Sequence, residues 1–202
     1  MKRILPIFLM ILALSGVKAA QATQASEAPV SQPIAEGAPF PDLKLNGNLS
    51  ADQSAYLGLP APGKTQRLSK IKAPFVLLEV FSMYCPHCQR EAPVINELYN
   101  LIAKRGLAGK IKVVGLGAGN SLDEVEIFRV KYDLLFPLFS DPNLTAHQAV
   151  GGVGTPYFYL VARDPKTGAL TVKLSRLGRM ASPERFLDDL VNAAGLSQED
   201  AK

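Results

Sequence analysis

Seven consecutive residues, Phe75 to Phe81 (FVLLEVF), are apolar at every position but one, and three residues later come the only two cysteines, in Cys85-Pro86-His87-Cys88. An apolar run of this length without alternation reads as a strand buried on both faces, which calls for a sheet covered above and below. Beyond the cysteines Val94, Leu98, Leu101 and Ile102 recur at helical spacing as far as Gly106, where the helix is expected to stop. Pro93 inside it is expected to kink it by removing one backbone bond. A buried strand that runs straight into a helix, with further strands and helices alternating after it, implies an α/β sandwich with a mixed central sheet and helices on both faces.

The junction also carries chemistry. Two thiols three positions apart meet across one helical turn, so they can close a small disulfide ring without moving the backbone. At a helix N-terminus the unpaired N–H groups and the macrodipole favour an anion, so Cys85 should ionise below the free thiol value of about 8.5 and act as the attacking thiolate. Cys88 would be its buried resolving partner. His87 sits between them, where an imidazole would stabilise the thiolate and the reduced form, unless it is simply exposed at the helix start. Two cysteines can also form a structural bridge, but one across three residues closes almost no chain and stabilises little.

The remaining chain sets the context. Lys2 and Arg3, the apolar run Ile4 to Leu14 and the small residues up to Ala20 read as a secretory signal over residues 1–19. The run is shorter than the ~20 apolar residues of a membrane span, and Pro6 interrupts it. No stable membrane insertion is expected after cleavage, and an exported, periplasmic location follows. Removing that segment leaves 19 Lys and Arg against 18 Asp and Glu. So balanced a chain argues against nucleic acid. Residues 20–39, rich in Ala, Ser, Gln and Pro, are expected to be a flexible leader. One domain is expected over 40–196, followed by a tail at 197–202.

Within that domain Pro41 to Leu45 reads as a short strand ending in an Asn46-Gly47 turn, whereas residues 51–67 show no clear period. Ile111 to Leu116 is a second buried strand. Ser121 and Glu124 have capping-box spacing and open a helix through Val125, Phe128 and Tyr132. Phe136 to Phe139 suggests a short or edge strand and Asn143 to Val150 a short helix. Tyr157 to Ala162 and Leu170 to Leu177 read as strands joined by a turn at Asp164 to Gly168. A last helix has Ser182 as cap, Pro183 at its first position, Phe186, Leu187, Leu190 and Val191 inward, and Gly195 as stop.

In this arrangement the chain resembles the thioredoxin superfamily, and within it the exported TlpA-like and ResA-like thiol-disulfide oxidoreductases of the redoxin group. The resemblance covers about Phe40 to Leu196. It rests on the strand-C-x-x-C-helix junction, Pro93 eight residues past Cys85, the Gly154-Thr155-Pro156 step before a strand, and the βα unit of residues 111–135. It implies a thioredoxin-like three-layer sandwich and exchange of disulfides with protein thiols, with a membrane-bound or soluble redox partner and no cofactor. The wording around Cys85 is closer to the DsbA type of oxidant, while the TlpA-like match suggests reduction, so the direction of electron flow stays open.

The resemblance further implies that Pro156 is cis, packs on the dithiol and presents the backbone of Thr155 to an extended substrate segment. Glu79, six before Cys85, matches an acid that serves as proton acceptor near the second cysteine, and burial would raise its pKa toward that task. Its other reading is an ion pair with Lys72. Glu91 matches an acid that ResA-like proteins place beside the site, and equally fits a solvated helix position. Two other functions fit the same fold. A thiol peroxidase is suggested by Ser82, but Leu78 stands where its pattern has proline. A copper-binding chaperone would recruit His147 with the cysteines.

Overall fold

Both faces of Phe75–Phe81 are covered, because its side chains alternate between two separate cores. Val76, Leu78 and Val80 enter one core with Leu116, Val150 and Tyr159, while Leu77 and Phe81 enter the other with Ile95, Leu98, Phe128 and Phe186. The computed structural model describes residues 32–60 and 63–197. The expected signal, most of the expected leader and residues 198–202 of the tail lie outside the described residues. Among the described residues no helix is long and apolar enough to cross a membrane.

Seven strands form one mixed sheet: β1 (Lys44–Asn46), β2 (Thr65–Arg67), β3 (Phe75–Phe81), β4 (Ile111–Ala118), β5 (Leu138–Asp141), β6 (Tyr157–Arg163) and β7 (Leu170–Leu177). Their order is β2-β1-β5-β4-β3-β6-β7. β3 runs parallel to β4, from Phe75 opposite Ile111 to Phe81 opposite Gly117, and antiparallel to β6. The cysteine-bearing helix α2 (Pro86–Lys104), α3 (Leu122–Lys131) and α5 (Pro183–Ala194) supply the core that Leu77 and Phe81 enter. The opposite core takes in Leu57, at the end of α1 (Ala51–Tyr56), and Ala146 of α4 (Thr145–Ala149). The three-layer mixed sandwich expected from the sequence is the fold.

Local signals account for most boundaries. The Ser121–Glu124 capping box starts α3, Ser182 and Pro183 start α5, and Gly106 and Gly195 follow the ends of α2 and α5 in the left-handed conformation. Four expectations change. The featureless stretch 51–67 contains α1 and β2; α1 opens on a capping box of Ser50 and Gln53. Asn46-Gly47 is no hairpin turn, since Asn46 pairs with Ser140 and a Cβ on Gly47 would lie 2.9 Å from Phe139 Cδ1, so glycine serves close approach. The inward face of α2 is Cys88, Glu91, Ala92, Ile95, Leu98 and Ile102, with Val94 and Leu101 only at its margin. α2 is also continuous through Pro93, which lies on the exposed side where water can replace the lost bond.

Residues 32–39, expected within the leader, are built into the domain. Gly37 N–H donates to Val172 O at 2.8 Å, Val172 N–H donates to Ala38 O at 3.0 Å, and Glu36 Oε1 accepts from Ser175 N–H, so this segment covers the outer edge of β7.

Gly115 lies opposite Glu79 in the β3–β4 ladder, on the side of the sheet that faces α2. A Cβ there would meet Leu138 Cδ2 at 2.5 Å and Phe81 Cε1 at 3.1 Å. Gly115→Ala is therefore expected to cost about 1–3 kcal/mol through overpacking, read from denaturant midpoints. An unchanged midpoint would show that Leu138 simply turns away.

Candidate active site

α2 begins on the residue that matters most. Cys85 is its N-cap, in extended conformation, and Pro86 at the first helical position has no N–H to leave unpaired. The approach to the helix is fixed by the backbone of Met83: its N–H donates to Asn120 Oδ1 at 2.9 Å, and its carbonyl accepts from Gln89 Nε2 at 2.8 Å. Cys85 N–H closes the turn onto Ser82 O at 3.0 Å. Asn120, fully buried after β4, is a positioning residue that the sequence reading missed. Nothing in its local sequence marks it, since its partner lies 37 positions away.

The two thiols are unbridged and differ sharply in setting. Cys85 is half-buried, whereas Cys88 is 1 % exposed. For Cys85 desolvation raises the pKa, but the Thr155 side chain, the N–H groups of Cys88 and His87 and the Cys88 thiol outweigh it, so the net shift is downward. The Thr155 carbonyl, 3.3 Å from Cys85 Sγ, accepts from the thiol form and works against that trend. Burial, with help from Cys85 and the Glu79 charge, pushes Cys88 up to about 12 against hydrogen bonds from Ser82 and Thr155. The two sulfurs thus differ in acidity, Cys85 being the easier to ionise and Cys88 the harder.

The Thr155–Pro156 bond is cis, as the resemblance implies, and this loop lies against Cys85. His87 is exposed and its Nδ1 accepts from Arg90 Nη2 at 3.1 Å, so what reaches Cys85 is the backbone N–H of His87. Glu79 is buried on the α2 side of β3 and makes no hydrogen bond or ion pair among the described residues; the alternative pair with Lys72 does not form. Burial first, then the charges of Glu91 and Cys85, raise Glu79 to about 8. Glu91 is not a solvated helix residue. It is fully buried, accepting from Met180 N–H at 3.0 Å and Arg179 Nε at 3.1 Å, and burial raises its pKa against both partners.

His147 is occupied elsewhere: its Nε2 is 2.7 Å from Val153 O. Among the described residues no three of His, Cys, Asp and Glu gather as a group that could hold a metal ion.

A dithiol at the start of a helix that leaves the central strand, set against a cis-proline loop, defines a protein of the thioredoxin superfamily. The chain belongs to the AhpC/TSA family, whose profile matches residues 37–169. Among relatives, the thiol-disulfide oxidoreductase ResA of Bacillus cereus is 27 % identical over 128 residues, covering 59 % of this chain and 72 % of its own. ResA of Geobacillus kaustophilus is 32 % identical over 114 residues, covering 54 % and 63 %. A crystal structure of a candidate thiol:disulfide interchange protein DsbE from Chlorobium tepidum superposes with a TM-score of 0.60 at 20 % identity, covering 80 % of this chain and 99 % of that one. The chain is thus a TlpA/ResA-like member of the thioredoxin superfamily.

Proposed function

We propose that this protein is an exported thiol-disulfide oxidoreductase that exchanges disulfides with protein thiols through Cys85 and Cys88. The observation that carries the reading is the contrast between the two sulfurs: Cys85 at the helix start with its pKa lowered, Cys88 one turn inside with its pKa raised. In exchange, the Cys85 thiolate attacks a substrate disulfide; the Cys85–substrate bond forms as the substrate's own S–S bond breaks, and the leaving sulfur departs as a thiolate. Cys88 then attacks Cys85 Sγ, its proton passing toward Glu79, and the substrate's second sulfur leaves. The reverse sequence oxidises a substrate dithiol. Thr155 and Pro156 would carry the extended substrate segment beside Cys85. Export rests on the sequence pattern of residues 1–19, and the redox partner on the ResA-like resemblance. The TlpA-like resemblance suggests reduction and Cys-Pro-His-Cys suggests oxidation.

The test is the acidity of Cys85. Thiolate absorbance at 240 nm in the reduced protein is expected to titrate below the free thiol value of about 8.5, and to vanish from that range in Cys85→Ser. A midpoint at or above that value would overturn the reading. Equilibration with glutathione then fixes the direction, since about 30 mV changes the two-electron balance by 1.4 kcal/mol. Membership of the AhpC/TSA family gives peroxide reduction as a second reading. Turnover of hydrogen peroxide as fast as disulfide exchange would promote it.

A further inference from the structure

The segment that follows β7 makes three contacts with the site in three consecutive residues. Gly178 N–H donates to Pro156 O at 2.9 Å, Arg179 Nε donates to Glu91 Oε2 at 3.1 Å, and Met180 N–H donates to Glu91 Oε1 at 3.0 Å. Arg179 Nη2 adds a contact of 3.4 Å to Arg90 O. Both oxygens of Glu91 are thereby held, although the side chain is wholly buried on α2. A buried carboxylate held by a backbone N–H and a guanidinium can stay ionised where a bare one would take up a proton.

The groups that share this space are few. Glu79 comes from β3, Cys85 and Cys88 from the start of α2, and Arg179 from the segment after β7, while α5 and β6 present Phe186, Leu187, Leu190 and Phe158. Among the described residues Arg179 is the one cation paired with an acid of this cluster, at Glu91, and Glu79 has no ion-pair partner. Two carboxylates that interact inside a protein do not readily ionise together. The partnered one ionises first, and the unpartnered one gives up its proton only at higher pH, so that its ionised form is free to accept a proton.

We propose that Arg179 is a positioning residue: by fixing Glu91 as a buried anion it makes Glu79 the place where the proton exchanged with Cys88 is stored. The inference rests on the dithiol reading for its purpose, but not for its measurement. The same segment also links the Pro156 loop to Glu91.

The test follows the Glu79 carboxyl carbon by NMR across pH in reduced protein labelled with 13C-glutamate, the signal being assigned by its loss in Glu79→Gln. Glu91→Gln keeps the shape and removes the anion, and is expected to lower the Glu79 midpoint by about one unit. Arg179→Met should do the same, because Glu91 then takes up a proton, whereas Arg179→Lys should restore the wild-type midpoint. Arg179 is 40 % exposed, so its replacement opens no buried cavity; should Arg179→Met not fold, Arg179→Gln is read in its place. A Glu79 midpoint that stays or rises without the guanidinium overturns the proposal. Exchange with a peptide disulfide is assayed on the same samples: failed exchange with the shifts intact would count against the dithiol reading alone.

Discussion

Cys88→Ser should convert the protein into a trap: incubated with a disulfide-containing polypeptide, it accumulates a mixed disulfide through Cys85, visible as a mass adduct that a reducing agent removes. The reason lies in the division of labour between the sulfurs. Attack needs only Cys85, whose sulfur faces the Pro156 loop and whose proton affinity is lowered by the N–H groups and thiol around it. Release needs Cys88, because no other cysteine exists in the chain. Cys85→Ser should by contrast form no adduct and lose exchange activity by about three orders of magnitude, the usual consequence of deleting a nucleophile. Cys88 cannot substitute, since it is buried and pushed up to about 12. Turnover by Cys88→Ser at the wild-type rate, or an adduct on Cys85→Ser, would contradict the assignment.

How far this site could be read in advance depended on whether the signal was local. Cys85, Cys88 and the helix they open lie within one turn, and the two-faced strand before them is a contiguous run, so periodicity and spacing were enough. Residues 51–67 failed because α1 is only six residues long and β2 three, too short for a period to register, although Ser50 and Gln53 did carry a capping signal. The Asn46-Gly47 pair was misread because its glycine answers to the Phe139 ring, a constraint set by tertiary packing. Glu91 was legible only as two alternatives, because the cation that holds it stands 88 positions away. Asn120 and Arg179 were invisible for the same reason. What the sequence could not show was thus the set of long-range partners that hold the junction in place.

Glu79→Gln is expected to stabilise the reduced protein in a pH-dependent way while slowing its chemistry. In the folded chain Glu79 is raised from an ordinary value of 4.5 to about 8, by burial first and then by the charges of Glu91 and Cys85. Below about pH 4.5 the carboxyl is neutral in both folded and unfolded chains, and the shift costs nothing. Between the two values the unfolded chain releases the proton and the folded chain keeps it, so the native state binds more protons and stability falls as pH rises. Above about 8 the whole penalty is present. Glutamine removes the ionisation and should gain about 2–4 kcal/mol at pH 8.5 but almost nothing at pH 4.5, compared by urea unfolding. The Cys88 thiol, raised in the same direction, subtracts its own share only above the ordinary 9.0, which is why the comparison stops short of it. A stability difference that does not grow with pH would mean that Glu79 is not held protonated. The same substitution should slow resolution of the mixed disulfide about 10²-fold near pH 8, where the ionised form of Glu79 is available to take the Cys88 proton. Gain and loss from one side chain follow from a single cause: a carboxyl able to take a proton from a buried thiol must itself be buried, and its burial is what destabilises the fold once the proton leaves.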